Sequence, residues 1–550
     1  MTSAGLPRGT MPPLELLTDA SIVTAVTSVA GAAGAAGADD AADTEIDVLV
    51  VPAFSGENGI ELSMASASPP DTAALFSRET QVAVWKALVE LGARGRAGET
   101  HLLPAVPGVS ATRLLVVGLG DADALTDEGL RAAAGTASRA LGRLPRSRFT
   151  GDVTALSLLG TLGTGPATEG HGLGSYTYTG ANGDGNGGSG DGPRLGRILI
   201  APPASPTAAK SAATDFARAC VAIEAVACAR DLVNAPANIL YPDSYARVIA
   251  ELSSRAGLEV EILDEHRLGE EGFGALVGVG QGSPRPPRLV RVTYRPEYAG
   301  ATEPPRVALV GKGVTFDTGG ISLKPSPHMG NMISDMGGSA AVVAAVIAAS
   351  ELDLPVSVTA TVPLAENMPD GTAVRPGDVL RHYGGLTTEV LNTDAEGRLI
   401  LGDAIVRACE DDPDYLVETA TLTGAQVRAL GDRTPAVMGT PGFRDRVAAL
   451  SREAGEGAWS MPLPAELADE IRSDVADLRN IPKKSWGGMA AAGHYLAAFV
   501  PDGLPWVHID VAGPAYNTGS PHGYTPRRAT GVPVRTLIAV LESIAAESSE

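Results

Sequence analysis

The sequence predicts an α/β fold in two domains, the smaller N-terminal and the larger C-terminal with a mostly parallel or mixed sheet. Three observations carry that expectation. A chain of 550 residues exceeds what one core usually holds, at roughly 100 to 200 residues per domain. Short β-rich apolar runs bounded by Gly or Pro alternate with helical stretches along the whole chain. Hydrophobic content of 44% with only 4% aromatics calls for a core packed from Ala, Val, Leu and Ile.

In chain order, Asp47 to Phe54, Arg113 to Gly118 and Gly196 to Ala201 read as buried strands, with helices near Thr80 to Leu91 and Glu128 to Leu141. Two low-complexity inserts interrupt this first domain (residues 1–205), one Ala/Gly-rich at 30–42 and one Gly/Asp/Asn-rich at 177–193. Their composition predicts surface loops, because it cannot bury enough apolar area to offset chain entropy. Ala219 to Val233 reads as an Ala-rich helix, and we take 206–233 as the connector, ended by Asn234, Pro236 and Asn238. Beyond it, residues 234–550 alternate strands at Glu259 to Leu263, Arg288 to Tyr294, Val307 to Val310, Val356 to Val362, Tyr415 to Ala420 and Trp506 to Val511 with helices.

Charge and cysteine usage exclude several classes. The 42 basic against 64 acidic side chains leave a net −22, which repels phosphate backbones and anionic head groups. The three cysteines, Cys220, Cys228 and Cys409, form no Cys-x-x-Cys pair, arguing against a disulfide framework and a thiolate zinc site. Ser21 to Ala38 is uncharged, but Glu15 and Asp19 precede it and small polar residues dilute it, so it does not read as an export signal. No later run reads as a membrane span, and a cytoplasmic protein is expected.

Chemistry concentrates in two segments. VALVGKGVTFDTGGISLKPSPHMGNMISD, residues 307–335, sets Lys312, Asp317, Lys324 and Asp335 on loops after a buried strand, where α/β sheets bind ligands. Ser334 or Asp335 is placed to cap a helix from Gly338 to Ala349. NTDAEGRL, residues 392–399, read as extended chain, puts Asp394, Glu396 and Arg398 on one face. Four carboxylates in one pocket are tolerable only if cations neutralise them, and divalent metals are the candidates. A phosphate loop, the rival explanation of Gly-Lys-Gly, lacks the Gly-x-x-x-x-Gly-Lys-Ser/Thr spacing.

These motifs resemble the leucyl aminopeptidase (cytosol aminopeptidase) family, whose signature octapeptide is NTDAEGRL. Further matches are GKGVTFDTGGISLKP at 311–325, RDLVNAPAN at 230–238, ENMPDGTAVRPGD at 366–378, ATLTGA at 420–425 and HIDVAGPA at 508–515. The resemblance spans nearly all of 225–545 and is loose over the first 220 residues. It departs at the two inserts and at Arg527 to Pro533. It implies a macro-like N-terminal domain, a two-metal peptidase with zinc or manganese, and peptide substrates with a free N-terminus, Leu and other apolar residues preferred.

By the same resemblance the ligands would be Lys312, Asp317, Asp335, Asp394 and Glu396. Asp317 and Glu396 would bridge, Lys312 and Asp335 would complete the tighter site, and Asp394 the more exchangeable one. Lys324 would stabilise the oxyanion, and Arg398 would hold a bicarbonate general base. Met332, Thr421 and Gly424 would line the side-chain pocket, and Leu422 would offer its backbone. A homohexamer is implied as well.

Other hydrolase templates fail, since neither His-Glu-x-x-His nor Gly-x-Ser-x-Gly occurs. His328 reads as a solvated loop residue, His508 as structural and Cys409 as core. The alternative is a nucleic-acid-binding or regulatory member of the family. It follows from the resemblance, because some members of the family bind DNA; the net −22 argues against it, and the basic cluster Arg143, Arg146 and Arg148 is explained equally well by a solvated helix end. A metabolite-binding N-terminal domain would rest only on GLG at 118–120.

Overall fold

The computed structural model describes residues 6–18, 23, 26, 45–57, 59–62, 76–144, 149, 151–180, 194–203, 206–297 and 303–547. The chain is α/β in two units. One comprises Thr10–Ile223 with Ser520–Pro526, and the other Glu224–Gly519 with Arg527–Glu550 and the first nine residues. The boundary falls inside the Pro206–Asn234 helix, which begins before Ala219 and fills the stretch read as the connector.

The smaller unit is built on strands β1 (Leu14–Leu16), β2 (Val48–Gly56), β3 (Gly59–Leu62), β4 (Thr100–Pro104), β5 (Arg113–Gly118), β6 (Val153–Ser157) and β7 (Leu195–Ile200). They form one sheet in the order β1-β7-β6-β2-β5-β4, with β3 on β2. Pairing is parallel except β3 on β2 and β4 on β5. Successive residues of β2 serve opposite faces, Leu49 and Val51 one apolar cluster, Val48 and Val50 another. Burial on both faces explains why these strands read as unbroken apolar runs.

The Thr164–Ser175 helix escaped the sequence reading because four glycines and a proline lower its helix propensity. Gly170 allows its contact with the Asp127–Leu141 helix, for a Cβ there would lie 2.2 Å from Arg131 O. Thr177, assigned to the second insert, pairs with Thr10 in a β-bridge, a correction to its reading as loop. Residues 181–193, the 30–42 insert, Arg146 and Arg148 lie outside the described residues.

The larger unit contains β8 (Glu259–Leu263), β9 (Arg288–Tyr294), β10 (Arg306–Gly311), β11 (Gly313–Asp317), β12 (Ser357–Asn367), β13 (Val379–Arg381), β14 (Thr387–Glu389), β15 (Tyr415–Ala420), β16 (Ala436–Gly439), β17 (Trp459–Ser460), β18 (Leu478–Arg479) and β19 (Trp506–Asp510). Nine of these form a mixed sheet in the order β17-β16-β19-β15-β10-β12-β9-β8, with β11 on β12. At its centre β19, β15, β10 and β12 run parallel, so their carboxyl ends open on one edge. The remaining three, β13, β14 and β18, make a small sheet beside it.

The Gly337–Glu351 helix packs on β10, β12 and β15. It is built from Ala, Val and Ile and buried almost all round, as a core helix must be. Met329–Glu351 is long and apolar enough to cross a membrane by length and composition alone, but 83% of its apolar 18-residue window is buried inside the fold, as in the core helix of a folded domain.

Candidate active site

The carboxyl edge of the parallel strands gathers the predicted polar residues. Lys312 follows β10, Asp317 ends β11 rather than lying on a loop, and Thr421 follows β15. Close backbone approach makes this possible. A Cβ on Gly338 would sit 2.1 Å from Thr419 O, so only glycine lets the core helix start against β15.

Lys312 Nζ lies 2.8 Å from Asp335 Oδ2 and 2.8 Å from Glu396 Oε1, and donates to Thr421 O at 3.0 Å. Lys324 Nζ lies 2.6 Å from Asp317 Oδ2 and also pairs with Asp394 Oδ1. Thr421 Oγ1 donates to Asp335 Oδ1 at 2.8 Å. Asp317 Oδ1 accepts from Gly319 N at 2.8 Å and Asn367 Nδ2 at 2.7 Å. One oxygen each of Asp317, Asp394 and Glu396 lies within 4.8 Å of the other two.

Two ammoniums do not neutralise four carboxylates in so buried a place. Burial, followed by the Glu396 charge, pushes Asp317 up to about 6 against Lys324 and Lys312. Burial likewise holds Asp335 well above the carboxylate range. Burial alone would raise Glu396, but Lys312 and Lys324 keep it below its usual value. Burial opposes the ammonium of Lys312, yet Asp335, Glu396 and Asp317 together hold it above the usual lysine range. The buried Glu396 Oε2 has no hydrogen-bond partner among the described residues. An unpartnered carboxylate oxygen, excess negative charge and an O/N donor set fit divalent cations.

Two sequence readings need correction. NTDAEGRL is not extended. Asp394 N donates to Asn392 Oδ1 at 2.9 Å, and Glu396 begins the Gly397–Cys409 helix in αR conformation. An Asx-type turn and a helix start, not strand alternation, therefore bring Asp394 and Glu396 together. Neither Ser334 nor Asp335 caps the core helix, whose N-cap is Met336 without a side-chain bond. Ser334 Oγ donates to Asn331 O instead, and Asp335 serves Lys312 and Thr421.

Arg398 lies in the first turn of its helix, 6% exposed, and its Nε and Nη1 have no partner among the described residues. Met332 is half-buried in the Met329–Ser334 turn. Leu422 N–H is already donated to Asp510 Oδ1 at 3.2 Å, which leaves the carbonyl as the backbone group it could offer. Gly424 is exposed at the start of a helix, with open space where a Cβ would stand. His508 is buried in β19 against Glu418, His328 is exposed, and Cys409 packs half-buried against the core. Sequence reasoning missed Asn367, Asn480 and Asp510. Their roles rest on long-range hydrogen bonds that no local spacing announces.

The chain matches the family model described as cytosol aminopeptidase family, catalytic domain, over residues 227–538, and that of the same family's N-terminal domain over 50–182. A probable cytosol aminopeptidase of Rhodococcus opacus (strain B4) is 52% identical, covering 91% of this chain and 95% of the relative. One from Corynebacterium diphtheriae is 50% identical over the same shares. The solved structure of the bottromycin maturation enzyme BotP in complex with Mn is similar with TM-score 0.76 and 37% identity, covering 91% of this chain and 99% of that one.

Proposed function

The chain belongs to the cytosol aminopeptidase family and is a metal-dependent aminopeptidase, and from that premise we propose that it releases Leu and other apolar N-terminal residues from peptides with two divalent ions, manganese or zinc. One observation carries the two-metal reading: oxygens of Asp317, Asp394 and Glu396 converge within 4.8 Å beside a buried, unpartnered Glu396 Oε2. Mn in the complex of the related BotP structure supports manganese as one such ion. In this proposal Asp317 and Glu396 would serve both ions, Lys312 and Asp335 would complete the tighter site, and Asp394 would complete the more exchangeable one. When bound, such a pair lowers the pKa of a shared water and polarises the carbonyl it attacks.

The chain's own groups supply the rest. Lys312 would ligate only as the neutral amine and so would release its proton to solvent on loading. Lys324 keeps its charge and faces the oxyanion that forms at the scissile carbonyl. The Nε and Nη1 donors of Arg398, without partners among the described residues, suit a planar oxyanion, and we assign bicarbonate there as the proton carrier, because the metals would occupy the site's own carboxylates. Met332, Thr421 and Gly424 line the pocket for the first side chain, and Leu422 offers its carbonyl. A cytoplasmic location, in keeping with the relatives' name, and a homohexamer, one of the closed point-group assemblies, complete the proposal.

The test is hydrolysis of a leucyl chromogenic amide before chelation, after it, and after add-back of zinc, manganese or cobalt. Chelated protein should be inactive and add-back should restore turnover. N-acetylated substrate should fail throughout. Undiminished turnover by metal-free protein would overturn the reading.

A further inference from the structure

Two buried asparagines outside the ligand set hold the loops that carry it. Asn367, the last residue of β12, is 2% exposed, and its Nδ2 donates to Asp317 Oδ1 at 2.7 Å and to Thr393 O at 3.0 Å. Its own carbonyl accepts Thr318 N at 3.1 Å and Thr318 Oγ1 at 2.8 Å. Asn480, fully buried just after β18, works from the other side. Its Oδ1 accepts Leu391 N at 2.8 Å and Asn392 N at 3.3 Å, and its Nδ2 donates to Asn392 O at 2.6 Å and Ala395 O at 3.4 Å. The turn that carries Asp394 and ends at Glu396 is thus gripped on both flanks by carboxamides.

The chemistry of the grip is specific. A site with four carboxylates excludes a further carboxylate as the supporting group, whereas an amide donates to an acid and accepts from backbone N–H without adding charge. At Asp317 the amide, with Gly319 N, occupies Oδ1 and leaves Oδ2 as the oxygen that faces Lys324. We propose that Asn367 and Asn480 are positioning residues for metal binding: Asn367 selects the oxygen Asp317 presents and ties it to the Asp394 turn, while Asn480 orients that turn alone. This rests on the two-metal reading above.

The test uses full-length, chelator-stripped protein titrated with Mn2+, free Mn2+ being read by electron paramagnetic resonance, and in parallel with Co2+ by its visible absorption. Wild type should bind two equivalents of unequal affinity. Asn367→Asp, nearly isosteric, sets a carboxylate against Asp317 Oδ1 and Thr393 O and should weaken both equivalents by about 10- to 100-fold. Asn480→Asp loses the donors to Asn392 and Ala395 and sets a carboxylate against those carbonyls, and because the turn it holds carries Asp394 and ends at Glu396, it should weaken the looser equivalent more than the tighter one. Wild-type affinities in either variant, or equal weakening of both equivalents in Asn480→Asp, would overturn the proposal. Should an aspartate variant not fold, Asn367→Ser and Asn480→Ser remove the amides without adding charge and should show the same pattern at about tenfold. Unchanged binding by these would equally overturn it. Fewer than two equivalents in wild type would instead bring down the two-metal reading itself.

Discussion

Replacing Lys324 by alanine separates metal binding from transition-state stabilisation. Its Nζ sits 2.6 Å from Asp317 Oδ2 and against Asp394 Oδ1, with the side chain 21% exposed, so the ammonium borders the carboxylates while staying reachable by a substrate. Asp317, Asp394 and Glu396 all survive the change, and the cation competing for two of their oxygens is removed. Metal content should therefore stay at or above that of wild type. Loss of one preorganised donor to an oxyanion costs about 2.7 to 4 kcal/mol, or roughly 100- to 1000-fold in kcat. The assay pairs kcat on a leucyl amide with metal content by plasma mass spectrometry of the same sample. If Lys324→Ala lost metal as completely as a ligand variant, or kept its turnover, the division of roles in this pocket would be wrong.

Glu396→Ala removes a carboxylate whose Oε1 pairs with Lys312 and whose Oε2 has no partner among the described residues, and should abolish metal binding as well as turnover, read on the same two assays. Arg398→Ala should retain metal and lose less kcat than Lys324→Ala, and added bicarbonate should no longer stimulate it. In the smaller unit His171 is fully buried between Ser138 and Ser157, and burial pushes its pKa down to about 3. The unfolded chain takes up that proton near pH 6.5, so the stability due to neutral His171 is complete above that pH. It is lost as pH falls toward 3, at roughly 1.4 kcal/mol per unit. Unfolding midpoints measured from pH 7 to 4 should drop more steeply for wild type than for His171→Gln, and parallel curves would refute the assignment.

What the sequence disclosed, and what it hid, follows from the range of the forces involved. β5, β9 and β15 could be read to the residue because strands buried on both faces are continuous apolar runs closed by Gly or Pro, and β8, an edge strand with only Leu263 buried, because its apolar and acidic residues alternate after Gly257. The carboxylates were legible as a set because charge among Gly and buried strand residues needs a partner. Their arrangement was not. The octapeptide has a period-two pattern that suits a strand, yet Asn392 bonds to Asp394 N and starts a turn. The Thr164–Ser175 helix was hidden because its glycines serve close packing against a neighbour and not helix propensity. Asn480 meets residues 85 to 89 positions away, a distance at which local pattern carries no signal.

Anomalous X-ray diffraction from crystals loaded with Mn2+ decides whether this edge of the sheet holds two ions between shared carboxylates. Two peaks are expected about 3.5 to 4 Å apart, the spacing general to two-metal hydrolases, aminopeptidases among them. Asp317 and Glu396 should reach both, Lys312 Nζ and Asp335 one, and Asp394 the other. A single peak, or two peaks that share no carboxylate, would contradict that arrangement.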